Sequence, residues 1–183
     1  QPGAVMFSDA GPDIRWVGNE SGVAAETAWC LLRTAGRYPG YSPPGYNPFQ
    51  DLGAGHEDGT AWIPPEVDVS IRPGWFYHAS EDRRVKTVAK LLDIWYESVG
   101  RGATLLLNLP PDRRGLFHEI DVERLLGFRK AVDAILKADL ASGATATATQ
   151  TRGNDPHFAA SNLVDGDPDS FWATDDGSTE AAV

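Results

Sequence analysis

Asp9, Asp13, Trp16 and Glu20 stand close together in the stretch Phe7-Ser-Asp-Ala-Gly-Pro-Asp-Ile-Arg-Trp-Val-Gly-Asn-Glu20. Carboxyl groups beside an aromatic ring suit proton transfer to a polyhydroxylated ligand. The acid supplies or takes the proton, and the flat ring covers C–H faces. Glu20 is the candidate proton-transferring acid. A plainer reading is that Glu20 and Ser21 open a helix, because acidic side chains favour a first turn. Asp9 and Asp13 sit in the same segment and are expected to shape its turn.

Two later stretches have the same character, an apolar or alternating run that ends in a polar or aromatic rim. The first is Glu66-Val-Asp-Val-Ser-Ile-Arg-Pro-Gly-Trp-Phe-Tyr-His78. The second is Tyr96-Glu-Ser-Val-Gly-Arg-Gly-Ala-Thr-Leu-Leu-Leu-Asn-Leu-Pro-Pro-Asp112. Glu66 is the runner-up to Glu20, a loop acid after a proline pair. Asn108 ends an apolar run, where it either hydrogen-bonds near a site or only caps a strand.

The elements that must position these residues follow from periodicity. Ala4–Phe7 reads as a short buried strand, and Ile14–Val17 as a second strand or its continuation. Residues 24–32 are expected to be a short helical or extended segment. Residues 34–60 are rich in Gly and Pro, with Tyr38, Tyr41, Tyr46 and Phe49 between them. They read as an ordered loop that shapes a pocket, or as a linker. Val67–Ile71 alternates as a strand does. Val85, Val88, Leu92, Trp95 and Val99 fall on one helical face, with Gly100 as the stop. Ala103–Leu107 is a buried strand. Asp121–Ala138 is a second amphipathic helix, burying Val122, Leu125, Leu126, Val132, Ile135 and Leu136. Helices alternating with buried strands imply an α/β fold with a parallel sheet.

Composition shifts near Ser142, which divides the chain into residues 1–142 and 143–183. Ala144–Thr151 alternates Ala and Thr and is expected to form an edge strand of a β-sandwich. The rest of this part is dense in Gly, Asp and Asn, with Phe158, Phe171 and Trp172 as anchors.

The 183 residues carry 16 basic and 26 acidic side chains, a net charge of −10. That balance argues against a nucleic-acid partner, which needs a basic footprint. No stretch approaches the roughly 20 apolar residues of a membrane span. The lone Cys30 excludes an internal disulfide and a cysteine-based metal site, and reads as a small buried hydrophobe. The chain begins without Met and reads as an excerpt of a larger protein, with no signal peptide of its own.

Taken together, the three quoted segments resemble glycoside hydrolase family 29, the α-L-fucosidases. The Gly-Pro-Asp-Ile-Arg-Trp-Val-Gly-Asn-Glu form resembles the subgroup acting on α-1,3/1,4-linked fucose. The resemblance implies the C-terminal part of a (β/α)8-like barrel and a retaining, double-displacement mechanism. It implies a fucosylated oligosaccharide or glycoconjugate as substrate, no cofactor for catalysis, and a secreted or periplasmic parent. Glu20 takes the acid/base role; Trp75 packs on the sugar, and Arg72 orients a carboxylate or hydroxyl. Trp16 and His56 are candidates for the neighbouring sugar. The family's nucleophilic aspartate, in a Trp-Phe-Asp-Gly-like motif, has no counterpart in these residues, so the chain by itself is expected to be inactive. Two other functions stay open: a non-catalytic carbohydrate-binding protein, or a glycosidase for another sugar such as a galactoside.

The tail, Ala159-Ala-Ser-Asn-Leu-Val-Asp-Gly-Asp-Pro-Asp-Ser-Phe-Trp-Ala-Thr174, resembles the opening of a discoidin-like or family 32 carbohydrate-binding module. Modules of that kind imply a structural Ca²⁺, for which Asp165, Asp167 and Ser170 are the candidate ligands; a plain Asp-Gly turn is the alternative.

Overall fold

The computed structural model describes residues 3–8, 13–34 and 52–183. Four strands form a parallel sheet in the order β1 (Phe7–Ser8), β2 (Ile14–Trp16), β5 (Pro65–Ser70), β6 (Thr104–Asn108). A short antiparallel ribbon, β3 (Leu31–Leu32) with β4 (Ala61–Trp62), lies in the connection between β2 and β5. Helix α1 (Val88–Ser98) joins β5 to β6, and α2 (Glu119–Ile135) follows β6. The fold is therefore α/β, as the alternation of periods implies.

Register sorts the side chains. Trp16 pairs with Glu66 and Glu66 with Thr104; Asp68 pairs with Leu106 and Ser70 with Asn108. Neighbours in a parallel ladder share a face and successive residues alternate, so these groups line one face. The other face is apolar. Val17, Ala24, Val67 and Ala103 form one cluster with Leu105 against it. Ile71, Val85 and Leu91 form a second, joined by Leu107, Leu109, Ile120 and Phe128. The helices cover this apolar face and leave the polar one to the site.

Several expected faces are corrected. On α1 the buried residues are Leu91, Ile94 and Ser98, one position off the expected Leu92–Trp95–Val99 stripe. Ser98 can turn inward because its hydroxyl donates to the Ile94 carbonyl at 2.6 Å. The helix stops at Ser98, and Gly102, not Gly100, takes the left-handed turn at φ 82°. On α2, Ile120 and Phe128 turn to the core while Val122 and Leu126 are exposed. The polar Asp121 is the residue buried there, because Arg72 meets it. Val5, Met6 and Phe7 are exposed, not buried, since β1 is an edge with a ladder only to β2 among the described residues. Cys30 is half-buried.

Gly22 shows how tightly the turn after β2 is set. Its φ is +76°, and an added Cβ would lie 2.8 Å from Ile94 Cγ2 and 2.9 Å from Val69 Cγ1. Left-handed backbone and an overpacked core both count against a side chain, so Gly22→Ala should lower stability by about 2–4 kcal/mol. The denaturation midpoint measures it. Gly100→Ala, where the nearest neighbour is 3.7 Å away, is the near-neutral control.

By contacts the chain forms two compact units, residues 1–133 and 134–183. In the second unit no strand forms over Ala144–Thr151, and the segments around it are short 3-10 turns. Contacts across the unit are those of an irregular loop cluster. Thr149 N–H donates to the Ala182 carbonyl at 3.0 Å, and Arg152 N–H to the Ala173 carbonyl at 2.8 Å. Phe158 and Phe171 meet at 5.5 Å between centroids. The alternation was real, but no second strand stands beside it to form a ladder.

Candidate active site

The turn after β2 is built by Asn19. Its side-chain amide donates to the Val23 carbonyl at 2.9 Å, and its Oδ1 accepts from Ser21 N–H at 3.0 Å and Ser21 Oγ at 2.6 Å. No helix begins at Glu20 or Ser21; the chain bends at both and turns through Gly22. The helix-opening reading of Glu20 is thus overturned. Asn19 and two left-handed glycines, Gly18 and Gly22, hold the exposed Glu20 on a tight turn at the C-terminal end of the strand.

Trp75 comes to it from the loop after β5. The indole N–H of Trp75 donates to Glu20 Oε2 at 2.9 Å. Asn108, at the end of β6, donates from Nδ2 to the Trp75 carbonyl at 3.0 Å and to Ser70 Oγ at 3.0 Å. Three strand ends therefore converge: Glu20 after β2, Ser70 and Trp75 from β5, Asn108 from β6. Catalytic groups in α/β barrels gather at the C-terminal ends of strands.

Glu66 and Asp68 lie deeper on the same face. Trp16 donates its indole N–H to Asp68 Oδ1 at 2.8 Å, so this ring serves Asp68 and not Glu20. Burial, and then the charge of Asp68, push the Glu66 carboxyl above its ordinary range. Glu66 is the second residue of its strand and Ser70 the last, a rise of about 13 Å at 3.3 Å per residue. Its electrostatics suit an acid, but its depth removes it from the strand-end cluster.

A family model for α-L-fucosidase matches residues 45–132. An Arabidopsis thaliana protein named α-L-fucosidase 1 is 41% identical over 181 residues, covering 98% of this chain and 34% of its own length. The chain belongs to the α-L-fucosidase family, glycoside hydrolase family 29. A Bacteroides thetaiotaomicron structure described as an α-L-fucosidase superposes with a TM-score of 0.85 at 37% identity, over 99% of this chain and 39% of that one. A Ruminococcus gnavus family 29 fucosidase in complex with fucose superposes with a TM-score of 0.81 at 30% identity, over 97% of this chain and 35% of that one. The chain spans about a third of the length of the curated relatives it matches.

Within this fucosidase-family chain, two expected site residues stand apart from the Glu20–Trp75 pair. Arg72 is fully buried and turned to the helix side. Its Nε donates to Asp121 Oδ2 at 2.8 Å and its Nη1 to Asp82 Oδ1 at 2.9 Å, with Tyr77 stacked 4.7 Å from the guanidinium carbon. Burial opposes the charge, but bonds to Asp121 and Asp82 outweigh it and raise the Arg72 pKa. This arginine anchors the loop that carries Trp75. His56 lies among Trp29, Arg33 and Asp58, where its Nδ1 accepts from Arg33 N–H at 3.3 Å. Asp9, Tyr38, Tyr41, Tyr46 and Phe49 lie outside the described residues, while Asp13 shapes the local chain by accepting from Met6 N–H at 2.8 Å.

Residues that periodicity alone did not single out are Asp68, Ser70, Asp82 and Asp121. Asp68 and Ser70 were legible as the partners of Glu66 at period two. Asp121 carried no distinguishing signal, because an acid in the first turn of a helix also suits the dipole.

In the second unit, Asp165, Asp167 and Ser170 do come together, but as a turn. Ser170 Oγ donates to Asp165 Oδ2 at 2.8 Å, and Asp167 N–H to Asp165 Oδ1 at 2.8 Å. Calcium takes six to eight oxygens that converge on one point. Here the oxygens are spent on each other, and no group of three or more His, Cys, Asp or Glu able to hold a metal occurs among the described residues. These residues do not fit the expected ion, and the plain Asp-Gly turn describes them. Nor is any described helix long and apolar enough to cross a membrane.

Proposed function

We propose that this chain is the acid/base-bearing part of a retaining α-L-fucosidase that releases terminal fucose from glycans. The observation that carries the reading is the Trp75–Glu20 pair at the strand ends, held by Asn108, in a chain of this family. The four-stranded sheet is the C-terminal part of a (β/α)8 barrel, whose edge strands β1 and β6 would pair with strands supplied from outside these residues. That part would also contribute the attacking aspartate.

In this mechanism the aspartate attacks the anomeric carbon as the C–O bond to the leaving group breaks. Glu20 gives its proton to the departing oxygen. A water then loses a proton to Glu20 and attacks the same carbon, releasing the aspartate and retaining the configuration. Two carboxyl groups suffice, so no cofactor takes part. The segment ending in Glu20 resembles the form seen with α-1,3/1,4-linked substrates, and that linkage is proposed for this enzyme.

A panel of aryl glycosides on the intact parent enzyme tests the reading. Aryl α-L-fucoside should be cleaved and aryl galactoside left intact. Cleavage of the galactoside with the fucoside untouched would replace this reading by another glycosidase. Fucose binding without any turnover would make the protein a carbohydrate-binding one.

A further inference from the structure

The Glu20–Trp75 contact constrains more than position. An indole N–H is a donor only and needs an oxygen lone pair. When Glu20 is neutral, the oxygen facing Trp75 is best filled by the carbonyl oxygen, which leaves the O–H on the other. We propose that Trp75 is a positioning residue that assigns the transferable proton of Glu20 to Oε1, and that Asn108 fixes the indole for this task. The proposal rests on the reading of Glu20 as the acid.

The loop that carries Trp75 is held for such precision. Asn108 grips the Trp75 carbonyl at 3.0 Å, and the same amide grips Ser70 Oγ at 3.0 Å. The Lys86 ammonium donates to the Ser70 carbonyl at 2.6 Å and the Arg72 carbonyl at 3.3 Å. Arg72 Nη1 reaches the His78 carbonyl at 3.4 Å, across the loop. The carbonyls at the start, middle and end of residues 70–78 are thus each met by a side-chain donor. A ring needed only as a flat sugar platform would not require its N–H to be aimed at a carboxyl oxygen.

Leaving-group dependence separates the two roles. A dinitrophenolate departs without a proton, whereas a sugar alkoxide does not. The ratio of kcat/KM for a fucosyl disaccharide and for dinitrophenyl α-L-fucoside therefore reads acid assistance alone, since kcat/KM covers steps only through leaving-group departure.

In the intact parent enzyme, Trp75→Phe keeps the ring and removes the N–H. It should depress the disaccharide on the order of 10²-fold while changing the dinitrophenyl substrate only a few-fold, within the range that general acid catalysis contributes. Equal losses on both substrates, or none on either, would overturn the proposal and leave Trp75 a packing surface. If Trp75→Phe does not fold, Asn108→Ala, which frees only the loop, should show the same split at smaller size; a uniform loss would again overturn it. Glu20→Gln is run beside them. Absence of the split there sinks the acid assignment itself, whereas a split in Glu20→Gln but not in Trp75→Phe sinks only the role given to Trp75.

Discussion

Replacing Glu20 by Gln in the intact parent enzyme is expected to reduce turnover of natural fucosylated glycans on the order of 10³-fold, the range that general acid–base catalysis contributes. The amide keeps the size of the side chain and can still accept from the Trp75 indole, so the fold and the contact at 2.9 Å should survive. What is lost is the proton for the leaving oxygen and the base for the incoming water. Added azide needs no base to attack the anomeric carbon. Azide should therefore restore turnover of an activated aryl fucoside and yield a fucosyl azide, identified by mass spectrometry. Glu66→Gln is the counterpart. Glu66 has the raised carboxyl pKa that an acid wants, from burial and from the charge of Asp68, but it sits at the start of its strand. Its substitution should leave azide without effect. Rescue of Glu66→Gln, with Glu20→Gln unaffected by azide, would exchange the two assignments.

Asp121→Asn is expected to cost about 3–5 kcal/mol of stability, because it leaves part of a buried arginine without its counter-charge. Arg72 and Asp121 are both fully buried, and they meet at 2.8 Å. Asp82 remains on the other arm of the guanidinium at 2.9 Å but is itself partly exposed, so it makes up only part of the loss. The midpoint of denaturant unfolding measures the change. The paired replacement Arg72→Met with Asp121→Leu should recover most of it, since apolar groups of similar volume carry no desolvation cost. A double variant as unstable as Asp121→Asn would show that the loss comes from the bonds the pair itself makes and not from an unpaired charge. The single change should also lower activity, because Arg72 anchors the loop that bears Trp75.

These outcomes divide along what could be read without coordinates. The alternation over Val67–Ile71 placed Asp68 and Ser70 on one side of a strand. The structure extends that strand back to Pro65, so Glu66, expected as a loop acid, joins them, and register carries Thr104, Leu106 and Asn108 onto the same face. Helix positions were legible to within a few residues, yet the buried side of α1 was displaced by one residue. The apolar stripe gave two nearly equivalent faces, and packing against Val69 and Gly22 selected the one with Ile94. The Ala-Thr alternation before Arg152 failed for a related reason: period two permits a strand, but only a neighbouring ladder makes one.

By itself the sequence determined the α/β class, the rims after the strands and, through its resemblance, the family to which the chain belongs. Local period and composition suffice for these, because they act within a few residues. Only the tertiary structure decided where each rim residue points. Trp75 and Glu20 are 55 positions apart, Arg72 and Asp121 49. Contacts over such separations are chosen by which face of the sheet each strand presents, and no local spacing encodes that choice. Arg72 and Trp75 lie three residues apart in one loop, and the structure sends the first to the buried salt bridge and the second to the acid.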